Sequence, residues 1–136
     1  MDRNFLTFDV TRPTRDGGRD AIGAYRIGDG PSGIIVDCAL EAKCYAADHS
    51  IGVREVARLI SRLRHRQFGI FITTSYVHQQ AYEEIKADQH PILIIAAIDI
   101  VDTLAKHGLI DVCTVRAWLQ AEFPIVAGRA DGRSID

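Results

Sequence analysis

The sequence predicts an α/β fold built on a mixed sheet, with an antiparallel hairpin on one side and helix-linked strands on the other. Three observations carry that expectation. Strand patterns over residues 21–27 and 34–45 flank the turn Gly28-Asp29-Gly30-Pro31-Ser32-Gly33, as in a β-hairpin. Two short apolar runs, FGIFIT at 68–73 and PILIIA at 91–96, are separated by a helical pattern over 77–87, the arrangement of a parallel crossover unit. Residues 51–66 place Val53, Val56, Ala57, Ile60 and Leu63 at spacings of three and four, the apolar stripe of an amphipathic helix.

The remaining elements follow in order. Residues 5–10 alternate as a short strand and end at Thr11-Arg12-Pro13; a loop rich in glycine and charge, Asp16-Gly17-Gly18-Arg19-Asp20, leads into the hairpin. Residues 99–107 read as a helix stopped by Gly108, and 112–123 as a last helix. Residues 125–136, rich in Gly and Arg, read as a frayed tail, so one domain is expected over 1–124. Tyr82, Trp118 and Phe123 sit at helical spacing in apolar patterns and are expected in the core.

With 136 residues, 47% hydrophobic and 25% charged, the chain is neither disordered, collagen-like nor a coiled coil. No apolar run approaches the roughly 20 residues of a membrane span, so a soluble, cytoplasmic protein without a membrane partner is expected. The net charge of −2 does not announce a nucleic-acid binder, yet it hides an asymmetry. Residues 1–66 carry eleven Lys and Arg against nine Asp and Glu, and residues 67–136 carry five against nine. Any basic face belongs to the first half. Cys38, Cys44 and Cys113 offer no CxxC or zinc spacing, and the first two lie too far apart on one strand to pair, so all three are expected to be buried, small and apolar.

The second hairpin strand is the most informative segment. Side chains on a strand alternate between faces, and the even positions Ile34, Val36, Cys38, Leu40, Ala42 and Cys44 carry no charge, so that face is expected to pack on the core. The odd positions include Asp37, Glu41, Lys43 and Tyr45, which puts Glu41 and Lys43 side by side, roughly 6.6 Å apart along the chain. A turn centred near residues 30 and 31 sets Asp20 across from the segment 41–43. Two carboxylates and a lysine so gathered suit phosphodiester hydrolysis. Carboxylate oxygens hold a hard divalent cation such as Mg²⁺, which lowers the pKa of a bound water and neutralises charge on the phosphate. A lysine ammonium can hold the attacking water and stabilise the transition state. The ExK triplet alone is weak evidence, since at about 6% abundance per residue a chance copy in this length is roughly an even bet. An ion pair on a solvated strand face is the plain alternative.

The series Asp16-Gly17-Gly18-Arg19-Asp20, then Gly33-Ile34-Ile35-Val36-Asp37-Cys38-Ala39-Leu40-Glu41-Ala42-Lys43-Cys44-Tyr45, then the helical IGVREVAR and the segment from Phe68 to Ser75 resembles the catalytic domain of Mrr-like restriction endonucleases. These belong to the PD-D/ExK nuclease superfamily, and the resemblance covers about residues 5 to 107. It implies a restriction-endonuclease-like mixed sheet flanked by helices and a Mg²⁺-dependent DNA endonuclease, with Mn²⁺ as a substitute ion. It implies Asp20 and Glu41 as metal ligands, the Ala42 carbonyl beside them, and Lys43 as the catalytic lysine. Many family members carry Gln where Glu41 stands. In one respect the chain departs: barely fifteen residues precede Asp16, where the superfamily fold opens with a helix that often carries another acid. The chain is therefore expected to be the carboxy-terminal catalytic part of a longer enzyme, with a fused or associated DNA-recognition domain. Some family members recognise methylated cytosine, which raises a modification-dependent system as the setting.

Other features are weighed against plainer roles. Arg54, Arg58 and Arg62 recur every four residues and are candidates for contact with double-stranded DNA, although exposed helix arginines are commonly just solvated. Thr73, Thr74 and Ser75 end a buried strand where α/β proteins often bind ligands, with helix capping by Ser75 as the plainer reading. His49 could approach a phosphate, and His78, Gln79 and Gln80 could reach DNA from the start of a helix. Cutting both strands takes two sites, so a homodimer is expected, arranged through the carboxy-terminal helices. The alternative to an enzyme is a non-catalytic nucleic-acid-binding module that keeps the fold and the basic helix. A nucleotide-binding domain is disfavoured, because the glycine-rich segment runs into a strand and lacks the P-loop lysine pattern.

Overall fold

The computed structural model describes residues 4–10, 20–63 and 66–124. In chain order the elements are β1 (Phe5–Val10), β2 (Ala21–Ile27), β3 (Ile34–Lys43), β4 (Ser50–Ile51), α1 (Val53–Leu63), β5 (Phe68–Thr73), β6 (Tyr76–Val77), α2 (Gln79–Ala87), β7 (Ile92–Ile95), α3 (Ala97–Lys106) and α4 (Val112–Glu122). The expected α/β class and mixed sheet are present. Asp16, Gly17, Gly18, Arg19, Arg64, His65 and the tail 125–136 lie outside the described residues. The chain divides into two compact units, Met1–Ile100 and Val101–Asp136.

The first unit holds a five-stranded sheet in the order β1-β2-β3-β5-β7. Strands β1, β2 and β3 pair antiparallel, while β3, β5 and β7 pair parallel, so β3 is the strand at which the sheet changes sense. The hairpin turn works because Gly28 and Gly30 take φ of 85° and 72°, a region glycine enters without a Cβ clash. Strands β3 and β5 are joined through α1, and β5 and β7 through α2, as parallel neighbours require. The two-residue strands β4 and β6 form a second, parallel ladder. They are too short to leave a periodic trace in the sequence.

Ala39, Ile51, Val56, Leu59, Leu63, Phe71, Ile85 and Ile92 form the buried core, with Tyr45, Ile60, Val77 and Ile94 packed against it. In the parallel ladders Ala39 pairs Gly69 and Gly69 pairs Ile92, and likewise Glu41 pairs Phe71 and Phe71 pairs Ile94. The side chains of each such row share a face. The helix-covered face of β3 is therefore that of Ala39, Glu41 and Lys43, continued by Tyr45 beyond the strand, which corrects the expectation that the even-numbered face packs on the core. On the even face Cys38 is buried, but Ile34, Ala42 and Cys44 are exposed and Val36 and Leu40 half-buried. Gly69 lets α1 pack tightly on the sheet, since a Cβ there would stand 2.6 Å from Ile92 Cδ1 and 3.1 Å from both Leu59 Cδ2 and Leu63 Cδ2.

Three smaller expectations also change. Cys44 and Cys113 are exposed, and only Cys38 behaves as a buried apolar group. Tyr82, Trp118 and Phe123 are exposed, at 44%, 39% and 67%. Helix α2 is capped not by Ser75 but by His78, whose Nδ1 accepts from the Gln80 N–H at 3.3 Å.

In the second unit, α3 ends where Gly108, at φ 77°, lets the Gly108 and Leu109 N–H groups close on the Ala105 and Leu104 carbonyls, both at 3.0 Å. Asp111 then opens α4 with a capping box, its carboxylate accepting from the Thr114 N–H at 2.8 Å while the Thr114 hydroxyl accepts from the Asp111 N–H at 3.2 Å. Between α3 and α4 runs an apolar groove of about 490 Å³ lined by Val101, Leu104, Ile110, Val112, Val115 and Leu119. No helix among the described residues is long and apolar enough to cross a membrane.

Candidate active site

The hairpin register delivers Asp20 to β3. Ala21 pairs Leu40, so the register carried one step further sets Asp20 opposite Glu41. The Asp20 N–H donates to the Leu40 carbonyl at 2.9 Å, and its Oδ2 accepts from the Ala42 N–H at 2.6 Å. A short charge-assisted bond of this kind fixes the carboxylate against the end of β3. Asp20 itself is exposed.

Glu41 is the opposite case. It is 1% exposed, on the helix-covered face of the strand at which the sheet changes sense. Lys43 Nζ lies 3.0 Å from its Oε1 and Arg62 Nη1 3.8 Å from its Oε2. Neither oxygen has a hydrogen bond of acceptable geometry, so the ammonium is close without being aligned. A buried carboxylate costs several kcal/mol of desolvation, which two neighbouring cations offset only in part when its lone pairs lack donors. Folding for stability alone would not leave such a group in the middle of a sheet. Lys43 and Arg62 keep 29% and 33% exposure, so both cations reach the group from its solvent edge.

The arginine series on α1 is not uniform. A spacing of four residues on a helix of 3.6 per turn advances about 40° at each step. Arg54 and Arg58 are exposed, while Arg62 has drifted to the border of the buried stripe formed by Val56, Leu59 and Leu63 and meets Glu41. Their common period suggests one role for all three, contact with DNA, whereas the drift along the helix brings Arg62 alone to Glu41.

Next to the site, the ends of β3 and β5 are tied together. The Thr74 N–H donates to the Lys43 carbonyl at 3.2 Å and its hydroxyl to the Tyr45 carbonyl at 2.8 Å. Buried Thr73 accepts from the Ser75 N–H at 3.1 Å, and the buried Ser75 hydroxyl donates to the His49 carbonyl. These bonds tie the segment 73–75 to Lys43, Tyr45 and His49. The His49 ring lies against Tyr45, with centroids 4.4 Å apart. Gln79 and Gln80 bond Glu83 and Glu84 one turn along α2, at 2.8 and 3.2 Å. Ala42 is exposed on β3 beside Asp20.

Among the described residues no group of three or more His, Cys, Asp or Glu is placed to hold a metal ion. The donors expected from the sequence are the Asp20 and Glu41 carboxylates and the Ala42 carbonyl. That set is all oxygen, and it fits a hard divalent cation that retains several waters. The Glu41 oxygens, close to two cations but without a hydrogen bond, are the structural sign of that fit.

Compared with protein-family models, the chain matches an Mrr catalytic-domain model described as restriction endonuclease over residues 2–104. Among solved structures it is similar to the DNA modification-dependent restriction endonuclease AspBHI, at 54% identity and a TM-score of 0.76, over 84% of this chain and 30% of that one. It is also similar to the MspJI restriction endonuclease, solved in complex with a 27-mer oligonucleotide, at 32% identity and a TM-score of 0.59, over 84% of this chain and 23% of that one. No curated protein matches. The chain thus spans less than a third of the length of either relative.

Proposed function

The chain belongs to the Mrr family of restriction endonuclease catalytic domains, and from that premise we propose that it is a Mg²⁺-dependent DNA endonuclease acting on double-stranded DNA. The observation that carries this reading is Glu41, a buried carboxylate whose two oxygens lack hydrogen-bond donors and face two cations. A non-catalytic binding module has no use for a carboxylate held at that cost.

In this reading Asp20, Glu41 and the Ala42 carbonyl hold the cation, with Mn²⁺ able to replace Mg²⁺. The ion supplies positive charge at the scissile phosphate and makes water more acidic beside it. Asp20, fixed by the Ala42 N–H, keeps one ligand oxygen in place. Lys43 projects beside Glu41 with its ammonium partly in solvent, where it can hold the attacking water and stabilise charge growing on the phosphate oxygens. Arg54 and Arg58, exposed on α1, contact backbone phosphates and orient the duplex.

The nuclease domain spans residues 1–124, with 125–136 as its tail, and works with a DNA-recognition part joined to it or associated with it. The greater length of both relatives supports that arrangement. The modification dependence named for AspBHI makes modified cytosine the first substrate to try. Cutting both strands takes two sites, and the apolar groove between α3 and α4 is the surface assigned to a second copy, which sedimentation of the purified protein tests. For the chemistry, plasmids with and without modified cytosine are incubated with Mg²⁺ and then with EDTA. Cutting is expected only with the ion, and Lys43→Ala is expected to lower it about a thousandfold. Cutting that persists unchanged in Lys43→Ala would sink the assignment.

A further inference from the structure

We propose that Arg62 is a positioning residue that competes with the divalent cation for Glu41, and that DNA phosphates relieve the competition by drawing its guanidinium away. The inference rests on the metal-site reading above and extends it to a residue outside the ligand set. Arg62 Nη1 stands 3.8 Å from Glu41 Oε2, the oxygen that Lys43 leaves open by approaching Oε1. A divalent cation held by that carboxylate would carry its charge close to the guanidinium, and the two would repel. Guanidinium and ion therefore contend for one site.

The geometry also gives Arg62 somewhere to go. It lies in the last turn of α1, is 33% exposed, and follows exposed Arg54 and Arg58 along the same helix. A DNA backbone contacting those two arginines meets Arg62 next, and a guanidinium binds phosphate bidentately better than it binds an unaligned carboxylate oxygen. Phosphate binding and ion binding then favour each other, so that the ion is held firmly only when substrate is present.

The test measures Mn²⁺ binding to the whole protein without DNA, by the electron paramagnetic resonance signal of the free ion at fixed ionic strength. Arg62→Gln is expected to bind Mn²⁺ about tenfold more tightly than the unaltered protein, and Mn²⁺ is expected to raise its unfolding temperature by more. Arg62→Lys, which keeps the charge, and Arg58→Gln, which removes a charge away from Glu41, are expected to stay within about twofold of the unaltered affinity. Equal or weaker binding by Arg62→Gln overturns the inference. Glu41→Gln separates the two readings: if it abolishes Mn²⁺ binding while Arg62→Gln does not tighten it, only the role of Arg62 fails. If Glu41→Gln leaves Mn²⁺ binding unaltered, the metal-site reading fails and the inference with it.

Discussion

Replacing Glu41 by methionine is expected to make the protein more stable and inactive at once. The side chain is 1% exposed and its oxygens accept no aligned hydrogen bond, so its desolvation is poorly compensated. Removing one member of a buried ion pair normally costs about 3–5 kcal/mol, because the partner is left buried and charged. Here the geometry reverses that outcome. Lys43 and Arg62 are 29% and 33% exposed, and both can turn their charges into water once Glu41 is gone. The variant then loses a partly offset burial cost of several kcal/mol and the modest attraction of two solvent-edge cations, while methionine fills the space beside Phe71. A net gain of about 1–2 kcal/mol follows, or a rise of roughly 3–6 °C in unfolding temperature for a chain of this size. Thermal and urea unfolding followed by circular dichroism in EDTA measures it. A loss of stability of about 1 kcal/mol or more would refute the reasoning, because Glu41 would then be a structural group that its neighbours fully satisfy.

Four further outcomes are expected. Gly69→Ala puts a methyl 2.6 Å from Ile92 Cδ1 and between Leu59 and Leu63, and it should destabilise by about 1–3 kcal/mol in urea unfolding with the site chemistry unchanged. Burial pushes the Cys38 thiol above its ordinary value, more than the Gly23 N–H bond pulls it back. Its contribution to stability is therefore complete below the unfolded thiol pKa and declines as pH rises from there toward the raised folded value, which unfolding at pH 8 and pH 10 measures against Cys38→Ala. In a thiol-reagent assay Cys44 and Cys113 should react at once and Cys38 only as the fold opens. Replacing Arg54 and Arg58 together by glutamine should reduce the slope of log binding constant against log salt by about 1.8 on duplex DNA, with ion affinity unaltered.

Much of this fold was legible because its strands and helices differ sharply in period. The runs at 68–73 and 91–96, the glycine turn at 28–33 and the stop at Gly108 each correspond to an observed feature. Which face of β3 lies under the helices was not legible. Alternation reveals that two faces differ, and the uncharged face was assigned to the core, yet Glu41 and Lys43 are the groups that break the usual rule. A polar pair beneath a helix looks in the sequence like a polar pair in water. The juxtaposition of Glu41 and Lys43 was legible from spacing alone, whereas the approach of Arg62 depends on how α1 is rotated on the sheet. That rotation is set by Leu59 and Leu63 against Gly69, a packing detail no local pattern encodes. The exposure of Trp118 and Phe123 escaped for a related reason, since an apolar helical stripe predicts that something covers it but not what.

Because β3 has an antiparallel neighbour on one side and a parallel neighbour on the other, its backbone is clamped by two ladders of different geometry. A slip of one residue against β2 would have to be matched against β5, and would turn Glu41 and Lys43 to the opposite face. These two residues therefore cannot drift as the sequence diversifies. What remains adjustable is the segment 44–49 beyond Lys43, which lies outside the strands. Sequence change can accumulate there while Glu41 and Lys43 keep their alignment.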